Sequence, residues 1–214
     1  MTEADEVADF LLSTESYIVY ALGRLNFSVE GFRIDIEGYR EIGHKIRSGA
    51  ITVAVGRRSA GSQVAAVYSQ LRDRLSVPAN LDLHTPGPAR VSNQSLIVHE
   101  VTHALVDFHR FACTGAVDEA CGYIADQVYA KALGLQQTGA GGRSGAIITA
   151  AQAIVTGRQM TTRTGARLTV RDPDVAVLIT AITAHSNVYP DAGVHTTPGG
   201  IPGGLLNPWY MPRN

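Results

Sequence analysis

Charge of one sign is scarce in this sequence. The 18 Lys and Arg residues stand against 19 Asp and Glu, for a formal net charge of -1. Without a basic field there is no global source for the phosphate attraction that dominates nucleic-acid binding, so nucleic acid is not an expected partner. The local pairs Arg57-Arg58 and Arg72/Arg74 are accounted for by surface solvation. Cysteine is scarce too: Cys113 and Cys121 cannot build a disulfide framework and read as two buried thiols. Long apolar runs are missing. The longest, such as 175–184, fall well short of the roughly 20 residues a membrane-spanning helix needs, so no membrane partner is expected. The opening MTEADEVADF is acidic and lacks the basic-then-apolar order of a signal peptide. The expected location is cytoplasmic, or outside the cell by a route without an N-terminal signal peptide.

What is present suits a packed fold. Of 214 residues, 45% are hydrophobic and 17% charged, enough apolar material for a sizeable core. Residues 4–22 and 35–47 read as helices, the first with its acids early, toward the positive end of the helix dipole. Residues 50–55 read as a buried strand, with further strands over 63–69 and 73–77, punctuated by Gly56, Gly61 and Pro78. Residues 78–91 form a Pro-rich loop. Ser92 or Asn93 can cap a helix running to about Phe111. A second long helix, 117–133, stops at Gly134. A Gly-rich loop, a helix over 145–157, a short strand over 166–170 and a helix over 173–188 follow. Strands early and helices late give an α+β class. Residues 1–195 read as one domain. Residues 196–214 read as a Pro/Gly-rich extended tail, whose Leu205, Leu206, Trp209, Tyr210 and Met211 predict docking against a surface.

The chemistry is concentrated in SLIVHEVTHALVD, residues 95–107. Positions i and i+4 of a helix lie on one face, one turn apart, so His99 and His103 can aim two imidazoles at one metal ion. On a strand they would stand about 13 Å apart. Glu100, beside a ligand, is placed to serve as a general base. The bland alternative is a helix with two half-buried histidines and a solvated Glu. A catalytic zinc site needs a third protein ligand, and three residues qualify. Glu119 fits best, in the first turn of the next helix, where Ala120 and Gly122 permit close packing. Asp118 lies one residue earlier and can instead cap that helix. His109 completes a metzincin-like spacing, but Val106 stands where that pattern has Gly, and in an unbroken helix His109 points away from His103.

The segments HEVTHALVD and VDEACGYIAD resemble the paired active-site helices of zincin metallopeptidases, specifically the gluzincin type. The resemblance covers roughly residues 70–130. It implies a zincin-like fold with a small edge sheet packed on an active-site helix pair and further helices. It implies one Zn2+ held by His99, His103 and Glu119, Glu100 as general base, and a peptide or protein substrate. It also casts strand 73–77 as the edge strand that binds extended substrate. There are two departures: His103 and Glu119 are closer in sequence than the family usually has them, and Tyr123 stands where an acid often follows the third ligand, so that role is either unfilled or taken by Asp126. For stabilising a developing oxyanion, His185 and Tyr189 share a face near the end of the last helix, and Tyr123 is a third option. The competing reading has His185 favoured by the helix C-terminus and Tyr189 packed.

Two other functions fit the same residues. One is a toxin or effector module with the zincin core. The other is a non-catalytic binding domain with a structural or vestigial metal, closed by a fourth side chain from Asp118, Cys121 or His109.

Overall fold

A computed structural model describes residues 2–56, 66–79, 81–135, 143–156, 168, 170, 172–184 and 195–196. The expected N-terminal helix is two helices. Helix α1 (Glu3–Leu11) starts in a reciprocal cap between Thr2 and Asp5. Helix α2 (Ser16–Leu22) follows a break in which the Ser13 hydroxyl accepts the Glu15 N–H at 3.1 Å. That local bond offers the backbone an alternative to the helical ladder. Strands β1 (Phe27–Val29) and β2 (Phe32–Ile34) then form a hairpin. Its turn residues, Glu30 and Gly31, both have positive φ, 48° and 87°, as a tight two-residue hairpin turn requires. Helix α3 (Ile36–Arg47) is capped by Asp35, whose carboxylate accepts the Gly38 N–H.

A three-stranded sheet comes next. Strand β3 (Thr52–Val55) runs parallel to β5 (Arg74–Val77), and β4 (Val67–Ser69) runs antiparallel to β5 on its other side. The order β3-β5-β4 corrects two expectations. The strand over residues 73–77 is the middle strand, and β4 is the edge nearest the long helices. Strand β3, read as buried from its apolar composition, is the other edge and is half-exposed.

Helix α4 (Pro88–Phe108) begins earlier than a cap at Ser92 or Asn93 would allow. Gly87, at φ 151°, turns the chain, and Pro88 occupies the first turn, where its missing N–H costs nothing. The helix ends at Phe108, short of Phe111. Strand β6 (Cys113–Thr114) leads into α5 (Gly115–Ala132), which Gly134 terminates at φ 76°. Helices α6 (Arg143–Thr156) and α7 (Asp172–Thr183) pack on α5 and on each other, and β7 (His195–Thr196) pairs with β6. Of the short strand expected over 166–170, only Leu168 and Val170 are among the described residues, and Leu168 forms a parallel bridge to Phe27. The Gly-rich loop and nearly all of the tail lie outside the described residues.

The architecture is α+β, with small sheets packed against a helix assembly built on α4 and α5. Ile97, Val98, Val101 and Leu105 of α4 meet a core shared with Ala120, Ile124 and Val128 of α5. Helix α3 packs so closely on α4 that a Cβ on Gly38 would lie 2.8 Å from Leu105 Cδ2. No helix among the described residues is long and apolar enough to cross a membrane.

Candidate metal centre

Each residue of an α-helix turns about 100° from the last, so α4 distributes its polar side chains among different neighbours. His99 and His103 face α5. Glu100 points to β4, and Thr102 points to α3, where its hydroxyl meets the Tyr39 phenol at 2.6 Å. Almost every α4 residue from Gln94 to Val106 is buried, so the polar ones among them need partners.

Helix α5 supplies the partners of Ser95, His99 and His103 in an antiparallel register. Each step of four back along α4 meets a step of four forward along α5. His103 Nδ1 lies 2.8 Å from Asp118 Oδ1. The His99 ring lies against Gly122, where a Cβ would come within 2.9 Å of Cε1 and 3.0 Å of Nε2. Ser95 donates to the Asp126 carboxylate and to the Asp126 carbonyl. The Tyr123 ring packs edge-on against His99, with centroids 4.7 Å apart.

Glu119 projects between the two imidazoles. Its carboxylate places Oε2 3.5 Å from His99 Nε2 and Oε1 3.9 Å from His103 Nε2. The donor atoms of His99, His103 and Glu119 all lie within 4.8 Å of one another. Tetrahedral zinc with ligands at 2.0–2.2 Å separates them by roughly 3.4 Å, so the three donors need only a small contraction to close on an ion. The chemistry matches as well: two imidazole nitrogens and one carboxylate form a donor set zinc accepts. Asp118 on His103 Nδ1 completes a carboxylate–histidine pair that leaves Nε2 free to face the cluster.

The electrostatics fit a cluster of mutually dependent groups. Burial opposes a charge on His103, but Asp118 and Glu119 outweigh it and hold the ring's pKa up at about 10. Burial opposes a charge on His99 too, yet the Glu119 hydrogen bond and the charge of Glu100 raise its pKa. For Glu119 the balance runs the other way: burial would raise its pKa, but the two imidazoles pull it below the ordinary carboxylate value. Burial raises Glu100, and the nearby imidazoles and the Tyr68 N–H offset only part of that rise.

Glu100 stands beside the donor group rather than in it. Its Oε2 accepts the Tyr68 N–H of edge strand β4 at 2.7 Å. Of the alternative ligands, Asp118 is engaged with His103 Nδ1 and with the Gln70 amide. Thr114, not Asp118, caps α5, accepting the Val117 N–H. His109 terminates α4, half-exposed, with Nε2 3.2 Å from Glu41. Cys121 is fully buried but belongs to no metal-capable group among the described residues. The role proposed for Asp126, as the acid behind a ligand, falls to Asp118, while Asp126 anchors Ser95. His185 and Tyr189 lie outside the described residues. Sequence reasoning missed Tyr68 and Gln70. Both act through contacts distant in sequence, and no local pattern marks them.

The chain matches no protein-family model, no curated protein and no solved structure. The class defined by fold and site therefore rests on geometry. It is an α+β fold carrying a buried His-Glu-x-x-His cluster, completed from a second helix into a potential metal site of zincin type.

Proposed function

We propose that this protein is a zinc-dependent hydrolase, of the gluzincin kind, that cleaves peptide bonds in a peptide or protein substrate. The observation that carries this reading is the placement of Glu119 between the Nε2 atoms of His99 and His103. Among the described residues the group has three protein donors, the number found in catalytic zinc, which keeps one position open, whereas structural zinc is closed by four.

Zinc bound there would supply Lewis acidity, polarising a carbonyl and lowering the pKa of a water to roughly 7. His99, His103 and Glu119 would hold it. Asp118 fixes the His103 tautomer and the orientation of its ring. Glu100 is the general base: one carboxylate oxygen is held by the Tyr68 N–H, and the carboxylate takes the proton of the attacking water and returns it to the leaving amine. Its burial raises its proton affinity above that of an ordinary carboxylate, which favours its taking the proton of the water.

The test is Glu100→Gln, assayed with quenched-fluorescent casein and by elemental analysis of the purified chain. The variant should lose hydrolysis while retaining one equivalent of zinc. Full activity in the variant would refute the mechanism, and absence of zinc from the wild type would refute the metal.

A further inference from the structure

Segment 68–70 reaches the site twice. Tyr68, on edge strand β4, donates its N–H to Glu100 Oε2 at 2.7 Å. Its side chain runs along α4 and brings the phenol within hydrogen-bonding distance of Asp107, at 3.0 Å, and of Asp73, at 3.3 Å. Glu100 and Asp107 are seven residues apart, two turns along one helix face. Tyr68 therefore pins β4 to α4 at both ends, by its main chain at Glu100 and by its side chain at Asp107. Two residues on, Gln70 Nε2 donates to Asp118 Oδ2 at 3.3 Å, while the other oxygen of the same carboxylate meets His103 Nδ1.

We infer that Tyr68 and Gln70 are the positioning residues of this site, one for each half. Gln70 orients Asp118, which orients His103. Tyr68 orients Glu100. Neither is one of the three donors, and each acts through the carboxylate it bonds. The arrangement separates the two functions chemically. Loss of the Gln70 amide leaves Glu100 with its main-chain donor but frees Asp118 to rotate, which loosens His103. Loss of the Tyr68 phenol leaves the donors and Asp118 alone but removes the far anchor of the strand that carries the Glu100 donor. This inference rests on the zinc reading above and assigns parts within it.

The experiment measures zinc affinity by competition with a chromogenic chelator, for wild type, Gln70→Leu, Tyr68→Phe and Asp107→Ala, alongside the melting temperature of each metal-free protein. Gln70→Leu should weaken zinc about threefold to tenfold, less than the 10- to 100-fold typical of a residue bonded directly to a ligand, with its melting temperature close to wild type. Tyr68→Phe and Asp107→Ala should leave zinc affinity at the wild-type value and lower the turnover of quenched-fluorescent casein at saturating zinc. Asp107→Ala keeps the buried ring of Tyr68, so it decides the point if Tyr68→Phe is poorly folded. Wild-type zinc affinity in Gln70→Leu overturns the Gln70 assignment. Weakened zinc in the two clamp variants, or undiminished casein turnover, overturns the Tyr68 assignment. Failure of the proposed function looks different: the wild type itself then binds no zinc or cleaves no casein.

Discussion

Gly122 lies directly beneath His99, and there is no room between them for even one carbon. A Cβ at position 122 would sit 2.9 Å from the imidazole Cε1 and about as close to both ring nitrogens. In an exposed helix, Gly→Ala is worth roughly 1 kcal/mol of added stability. Here the same methyl must push the ring away from Glu119. Gly122→Ala is therefore expected to keep its helical circular dichroism while losing at least tenfold in zinc affinity, from misplacement of one ligand. Unchanged zinc affinity would show that the His99 ring has a second usable position.

Asp118 bears on His103 in a different way. It fixes which ring nitrogen carries the proton and which faces the cluster. Asp118→Ala is expected to weaken zinc by about 10- to 100-fold. It also leaves a buried imidazole without its nearest acceptor, so the metal-free protein should melt lower than wild type. Calorimetry and chelator competition on one preparation separate the two effects.

Much of this site could be read from the sequence, because its central motif is local. The four-residue spacing of His99 and His103 fixes a shared helix face whatever the tertiary structure, and Glu119 with Gly122 marks a second helix able to approach. The role of Asp118 was legible as an acid near the site but not as the partner of His103. Near a helix start an Asp can cap, and only the structure shows Thr114 already doing so. Tyr68 and Gln70 could not be found by pattern, since they meet the site from 32 and 48 residues away. The fold shows the same division. Helix α3 is bounded by Asp35 and Ser48-Gly49, and α5 stops at Gly134, so their extents were close. The β1–β2 hairpin turns on Glu30-Gly31, a pair without the usual Asn-Gly or Asp-Gly signature. The order of the three-stranded sheet depends on pairing that no single strand encodes.

Proton linkage gives a pH prediction with a definite sign. In the metal-free protein the pKa of His103 is raised from 6.5 to about 10, and that of His99 is raised as well. A raised folded-state pKa stabilises the metal-free fold fully below about pH 6.5 and loses that contribution as pH rises through about 10. Zinc requires the imidazoles deprotonated. Zinc binding at pH 7.5 is therefore expected to release protons, and its affinity to increase with pH from 6 to 9. The stabilisation conferred by zinc should grow across the interval in which the metal-free protein weakens. Titration calorimetry in two buffers of different ionisation enthalpy counts the protons; a count of zero would contradict the charged state assigned to the His103–Asp118 pair.

The third donor of the candidate metal site can be tested residue by residue. Three residues compete by sequence, Glu119, Asp118 and His109; Asp118 is engaged with His103 Nδ1 and the Gln70 amide, and the structure places the other two in opposite circumstances. Glu119 is largely buried between the two imidazoles, whereas His109 is half-exposed at the helix end beside Glu41 and packs edge-on against Phe32. Bringing His109 to the cluster would require α4 to break at Val106, a fully buried β-branched residue poorly suited to the left-handed backbone of a sharp turn. Glu119→Ala should thus abolish stoichiometric zinc binding, and His109→Ala should leave both metal content and affinity at wild-type levels. With Glu119→Gln the charge is removed but one oxygen donor remains, so partial zinc retention is the expected intermediate. Loss of zinc from His109→Ala with retention in Glu119→Ala would exchange the two assignments.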